Sequence, residues 1–87
     1  MIQDKIKQEA LIITMEECAE LTVEASKLVR FGSESSEYVH KLEVEVGDLM
    51  CMVDLLAQYG LIDLEEVMYH KAAKREKLKQ WSDLVDL

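Results

Sequence analysis

Five acidic residues fall into two short motifs whose spacing suits metal binding. Glu16, Glu17 and Glu20 form the first motif, and Glu45 and Asp48 form the second. Residues three or four positions apart on a helix project from the same face, so each motif concentrates carboxylates on one side. Carboxylate oxygens are preferred ligands of hard divalent ions. The two motifs together predict a site for Mg²⁺ or Mn²⁺.

Both motifs lie on or beside stripes that are otherwise apolar. Charges at such positions are tolerated when they are paired or bound to metal. A solvated helix face would explain either pair alone, but the two placements together favour a metal site. The stripe on the first helix comprises Ile6, Ala10, Ile13, Glu17, Glu20, Glu24 and Leu28. The second motif adjoins an apolar seam of Val39, Leu42, Val46, Leu49, Val53 and Leu56.

Three helical segments position these motifs. The chain has no proline and three glycines, and Gly32 and Gly60 fall where apolar periodicity stops. Serines precede the second segment, and Asp63 precedes the third as an N-cap residue. A short linker makes the first two helices antiparallel neighbours, so their acidic motifs can face each other. We therefore predict one all-α domain over residues 1–87, an antiparallel bundle with helices at about 3–31, 36–59 and 64–80 and a tail from about residue 81.

The apolar content indicates self-association. An 87-residue chain buries only about 60–65 % of its unfolded surface, yet 49 % of these residues are apolar. The first helix carries a second, broad apolar face in addition to the interrupted stripe. We therefore expect homo-oligomerisation, as a homodimer or homotetramer, to complete the bundle. The residues of the broad face are Leu11, Met15, Cys18, Ala25 and Val29.

The net charge, the apolar runs and the cysteines indicate which partners the chain binds and in which cellular compartment it resides. A net charge of −8 argues against binding to a nucleic-acid polymer, which requires basic residues to neutralise phosphates. The apolar runs are too short to span a bilayer. The first five residues lack the basic-then-apolar order of a signal peptide. We therefore expect a cytoplasmic protein, with Cys18 and Cys51 as reduced core residues.

The two motifs also resemble a family signature. Glu16-Glu17-Cys18-Ala19-Glu20 matches E-E-x-x-E, and Glu45-Val46-Gly47-Asp48 matches E-x-x-D, with 24 residues between them. Over roughly residues 8–80 the chain is similar to the MazG-like, all-α nucleoside triphosphate pyrophosphohydrolases. The resemblance implies Mg²⁺ ligation by Glu17, Glu20, Glu45 and Asp48. It implies that Glu16 is a further ligand or that it positions or deprotonates the attacking water. Glu16, Glu17 and Glu20 are therefore the expected catalytic glutamates.

The resemblance also implies a substrate and a source of positive charge. The family splits a triphosphate, (d)NTP, into the monophosphate and pyrophosphate. By analogy with the family, this chain would adjust nucleotide pools by hydrolysing either GTP and dGTP or non-standard nucleotides. Members carry a run resembling K-x-x-K-N-x-x-R, with which Lys71 and Lys74 agree, whereas Arg75 replaces the Asn and Leu78 the Arg. We expect Lys71, Lys74 and Arg75 to contact phosphates. A basic helix C-terminus favoured by the helix dipole is the alternative.

Two other function classes remain open. A non-enzymatic helical interaction module would share the small size and the regular apolar seam, but it leaves the acidic pairs without a role. A carboxylate-bridged di-iron protein would combine glutamates with a Glu-x-x-His motif, which Glu37 and His40 match. The rise of an α-helix separates His40 from Asp48 by about 12 Å, too far for one cluster.

Overall fold

The described part of the chain is helical. A computed structural model describes residues 4–85, and no strand occurs within that range. The all-α prediction is confirmed, and the internal helix boundaries agree with it to within one residue. The predicted start at Gln3 lies outside the described residues. No described helix combines the length and the apolarity needed to cross a membrane. The helices are α1 (Lys5–Phe31), α2 (Ser36–Gln58) and α3 (Leu64–Trp81).

Polar side chains begin each helix by satisfying its first backbone N–H groups. Asp4 accepts a hydrogen bond from the amide of Ile6 at 2.9 Å, and Asp63 accepts one from Glu65 at the same distance. Ser35 accepts one from the amide of Tyr38 at 3.4 Å. These bonds confirm the N-caps expected from the serine linker and from Asp63, since orphan amides at helix starts require such acceptors.

Two glycines should respond in opposite directions to replacement by alanine. Gly32 ends α1 with φ of 93° and ψ of 154°, a conformation almost restricted to glycine. Gly47 lies inside α2, and a Cβ there would meet open space. We expect Gly32→Ala to lower the free energy of unfolding by about 1–3 kcal/mol. Gly47→Ala should raise it by about 0.5–1 kcal/mol. Urea denaturation measures both, and equal effects would contradict the assigned role of Gly32.

The core lies between α1 and α2 near the open end of their antiparallel hairpin. Ala10 of α1 and Met52 and Leu56 of α2 are buried there. Leu11, Ile13, Leu55, Leu61 and Ile62 pack around these three. The last two belong to the turn that follows α2, so the chain folds back over this end of the hairpin. The same packing sets the register in which the acidic motifs meet.

Much apolar surface stays exposed on the single chain. Its accessible surface is 7117 Å², whereas a folded monomer of 10.0 kDa exposes about 5,200 Å². Its radius of gyration is 15.6 Å, against about 12 Å for a compact domain of this length. α3 contributes to this extension, because it has no buried residue and does not pack along either of the other helices.

Apart from Leu11, which packs against the core, the broad face of α1 points away from α2. Met15 and Val29 on this face are 69 % and 87 % exposed. The prediction that Cys18 and Cys51 are core residues is wrong for the single chain, since both thiols are free and exposed. Cys18 belongs to the broad face, and α1 instead turns towards α2 the stripe that the glutamates interrupt.

Candidate metal centre

Three carboxylates from the two motifs converge between α1 and α2. Oxygens of Glu17, Glu45 and Asp48 lie within 4.8 Å of one another. Glu17 comes one turn after Ile13 on the α1 stripe, and Asp48 comes one turn before the buried Met52 on α2. Packing at the end of the hairpin therefore brings the motifs together. Glu17 and Glu45 are half-buried, whereas Asp48 is exposed and leaves the site open to solvent.

The converging oxygens lack the donors that shielded carboxylates normally have. Glu17 Oε2 and Glu45 Oε2 are inaccessible to solvent, and when these carboxyls are ionised no hydrogen-bond donor among the described residues reaches either atom. A shielded acceptor without a partner is energetically costly. A divalent cation would satisfy both oxygens and neutralise the charge, and an all-oxygen ligand set suits Mg²⁺. The residues present therefore fit the expected ion.

The local environment opposes ionisation of Glu45. Desolvation, together with contacts to Glu17 and Glu20, raises the pKa of this carboxyl to about 7. Hydrogen bonding to these two glutamates favours a proton on Glu45, and their negative charge repels a second carboxylate. Glu20 is thus a neighbour of Glu45, although it lies outside the tightest group of three. Four of the five predicted acidic residues meet here.

Glu16 and Glu24 differ from the sequence-based expectation. Glu16 is exposed and lies outside the group of three converging carboxylates. The Glu24 side chain is only 14 % exposed, and its Oε1 pairs with Lys27 Nζ at 3.1 Å. Its Oε2 is shielded and finds no donor among the described residues. Glu24 was not predicted as a site residue, although its position on the interrupted stripe marked it as facing α2.

The basic residues are not brought to the carboxylates within the chain. Lys71, Lys74 and Arg75 are exposed on α3, and none forms an ion pair with another described residue. Because α3 does not pack along α1 or α2, its position in the single chain leaves the acidic groove uncovered. A phosphate contact from these residues therefore requires α3 to dock on the groove of its own chain or of a second one.

The Glu-x-x-His motif lies apart from this cluster. Glu37 pairs with Lys41 at 3.3 Å, and His40 is exposed. Neither residue belongs to the group of converging ligands found among residues 4–85. The geometry therefore gives the di-iron alternative no histidine ligand at the carboxylates.

No family model, curated protein or solved structure matches the chain. Membership of the MazG-like superfamily therefore stays a prediction from the two acidic motifs.

Proposed function

We propose that this chain is a Mg²⁺-dependent nucleoside triphosphate pyrophosphohydrolase that converts a (d)NTP and water into a (d)NMP and pyrophosphate. One observation carries the proposal, namely the convergence of Glu17, Glu45 and Asp48 within 4.8 Å. The two shielded oxygens without donors favour a cation at this point over a solvated acidic surface. The motif spacing supports triphosphate hydrolysis as the reaction.

The proposed roles of the acidic residues follow from their positions. Glu17, Glu20, Glu45 and Asp48 would hold the ion, and the exposed Asp48 would lie on the side open to substrate. Bound Mg²⁺ would neutralise charge on the triphosphate and lower the pKa of a coordinated water. The exposed Glu16, adjacent to Glu17 in the chain, is assigned to orient the attacking water and accept its proton. Attack on the α-phosphorus then releases pyrophosphate.

A second copy of the chain completes the proposed enzyme. The residues of the broad α1 face follow spacings of three, four and seven, the pattern of a helix-packing seam. Their exposure contributes to the roughly 1,900 Å² by which the chain exceeds a compact monomer. Burying that area on each of two chains matches the extent of obligate homodimer interfaces. Assembly also offers a route by which Lys71, Lys74 and Arg75 approach a triphosphate.

A charge on the broad face should break this assembly. We expect Val29→Glu to convert the protein from a dimer or tetramer to monomers, because the interface would then bury an unpaired carboxylate. Light scattering after size-exclusion chromatography measures the change. Val23→Glu is the matched control, since Val23 is half exposed but lies outside the seam. A monomeric wild-type protein would contradict the assembly, and equal dissociation of both variants would contradict this choice of face.

Product analysis with a panel of NTPs and dNTPs tests the reaction. We expect monophosphate and pyrophosphate to appear in Mg²⁺ and to be absent in EDTA. Release of orthophosphate instead of pyrophosphate would assign a different bond cleavage. A folded protein that turns over no nucleotide with Mg²⁺ or Mn²⁺ would overturn the proposal and favour the helical interaction module.

A further inference from the structure

An apolar pocket lies between α1 and the C-terminal end of α2. Its volume is about 330 Å³, and Ile13, Met52, Leu55 and Tyr59 are among its lining residues. Glu9 also lines it and is, among residues 4–85, the sole acidic side chain to do so. Mostly apolar walls with one polar group are typical of small-molecule sites, and this volume lies at the lower end of their range.

The pocket and the carboxylates lie one helical turn apart along the same two helices. Ile13 precedes Glu17 by one turn on α1, and Met52 follows Asp48 by one turn on α2. Along α1 the rise per residue places Glu9 about 12 Å from Glu17. A nucleotide has a comparable reach from the hydrogen-bonding edge of its base to its phosphates. A ligand whose phosphates lie at the carboxylates therefore has its base at the level of the pocket.

We propose that this pocket binds the nucleobase and that Glu9 makes the protein select guanine. This inference rests on the proposed hydrolase function and extends it to substrate choice. The apolar lining and the Tyr59 ring suit a base, which can stack on any aromatic face. An ionised Glu9 only accepts hydrogen bonds. The adjacent N1–H and N2–H groups of guanine can donate to its two oxygens simultaneously.

The other bases present less suitable edges to a carboxylate. Adenine and cytosine place a ring nitrogen acceptor beside their amino group, and that acceptor repels a carboxylate oxygen. Uracil and thymine offer one N–H between two carbonyl oxygens. Glu9 is exposed in the free chain, so its carboxylate is hydrated there. A bound base that covers this carboxylate excludes the water, and an analogue without the donor N–H then leaves the acceptor unpaired, which is the basis of discrimination. Inosine lacks only the N2 amino group of guanine and is therefore the sharpest probe.

Steady-state kinetics of the full chain with GTP, ITP, ATP, CTP and UTP tests the role of Glu9. We expect wild-type kcat/KM to be about tenfold higher for GTP than for ITP, the effect of one charge-assisted hydrogen bond. In Glu9→Gln the KM for GTP should rise about tenfold with kcat retained, and the preference over ITP should disappear. Glu43→Gln removes the same charge from an exposed residue outside the pocket and should leave the ranking unchanged.

Binding of guanosine in EDTA separates the pocket from the hydrolase reaction. Guanosine carries no phosphate, so NMR shift changes at Ile13 and Tyr59 report the base alone. Such changes without hydrolysis of any triphosphate would refute the enzyme and retain the pocket. Triphosphate turnover with an unaltered base ranking in Glu9→Gln would refute the selection of guanine and retain the enzyme. A change in oligomeric state in Glu9→Gln would assign the groove to a second copy and overturn the inference.

Discussion

Asp48→Asn should lower the rate of pyrophosphate release by more than about 100-fold while the helices stay folded. Substitution of residues that merely orient metal ligands already costs about 10–100-fold, and a direct ligand contributes more. Asp48 is the exposed member of the converging group and is not part of the core. Its neutral replacement therefore removes charge from the site without removing packing. Stopped assays of pyrophosphate, together with circular dichroism, measure the two effects separately.

Asp54→Asn provides the matched control for this substitution. Asp54 is also exposed on α2, but it lies six residues further along and outside the converging group. It should retain wild-type turnover. Glu20→Gln should behave like Asp48→Asn, because Glu20 contacts Glu45 within the same cluster. Normal turnover of Asp48→Asn would disprove the site, and an equal loss in Asp54→Asn would point to general electrostatics.

The helices and the acidic cluster were predictable because their signals are local. Caps such as Ser35 and Asp63 act within one turn, and Gly32 ends α1 through its own backbone conformation. The cluster needs only one long-range assumption, that a four-residue linker makes α1 and α2 antiparallel. Once these helices pair, their three-residue spacings bring Glu17 to Glu45 without further information.

The choice between the two apolar faces of α1 was not predictable from the sequence. Periodicity identifies a face but not its partner, and the broad face with Met15 and Val29 has the more uniformly apolar composition. The structure instead turns the stripe with Glu17 and Glu24 towards α2 and exposes the broad face. The same limit applies to α3, since no local signal specifies which surface its exposed side chains contact.

The partial burial of Glu17 and Glu45 is costly to the hairpin in the absence of a cation. A groove with apolar residues at every position would pack more favourably without metal, since it would contain no shielded and unpaired oxygens. Glu17 and Glu45 are therefore costly to the metal-free fold. Under the proposed function, a bound cation would recover the stability lost at these acidic positions and would link the amount of folded protein to the metal concentration.

Glu45→Gln should make the metal-free protein more stable at pH 8 and greatly reduce its stabilisation by Mg²⁺. Desolvation and the neighbouring glutamates raise the pKa of folded Glu45 to about 7 from an ordinary value near 4.5. The protonated form thus favours folding, and this contribution is complete below pH 4.5 and lost as the pH rises through 7. In the unfolded chain Glu45 ionises near pH 4.5. Above that pH, the cost of ionising Glu45 in the folded state lowers the free energy of unfolding.

Urea denaturation of wild type and Glu45→Gln between pH 4.5 and 8, in EDTA and in Mg²⁺, measures this linkage. In EDTA the difference in unfolding free energy should increasingly favour the variant as the pH rises. At pH 8, Mg²⁺ at 100 times its dissociation constant should stabilise the wild type by about 2.7 kcal/mol. The variant lacks one ligand and should gain far less at the same concentration.

Glu43→Gln should follow the wild type throughout, since Glu43 is exposed and outside the cluster. If the free energy of unfolding changed with pH in the same way for wild type and Glu45→Gln, the neighbouring glutamates would not raise the pKa of Glu45. Equal Mg²⁺ stabilisation of the two proteins would show that the ion binds elsewhere.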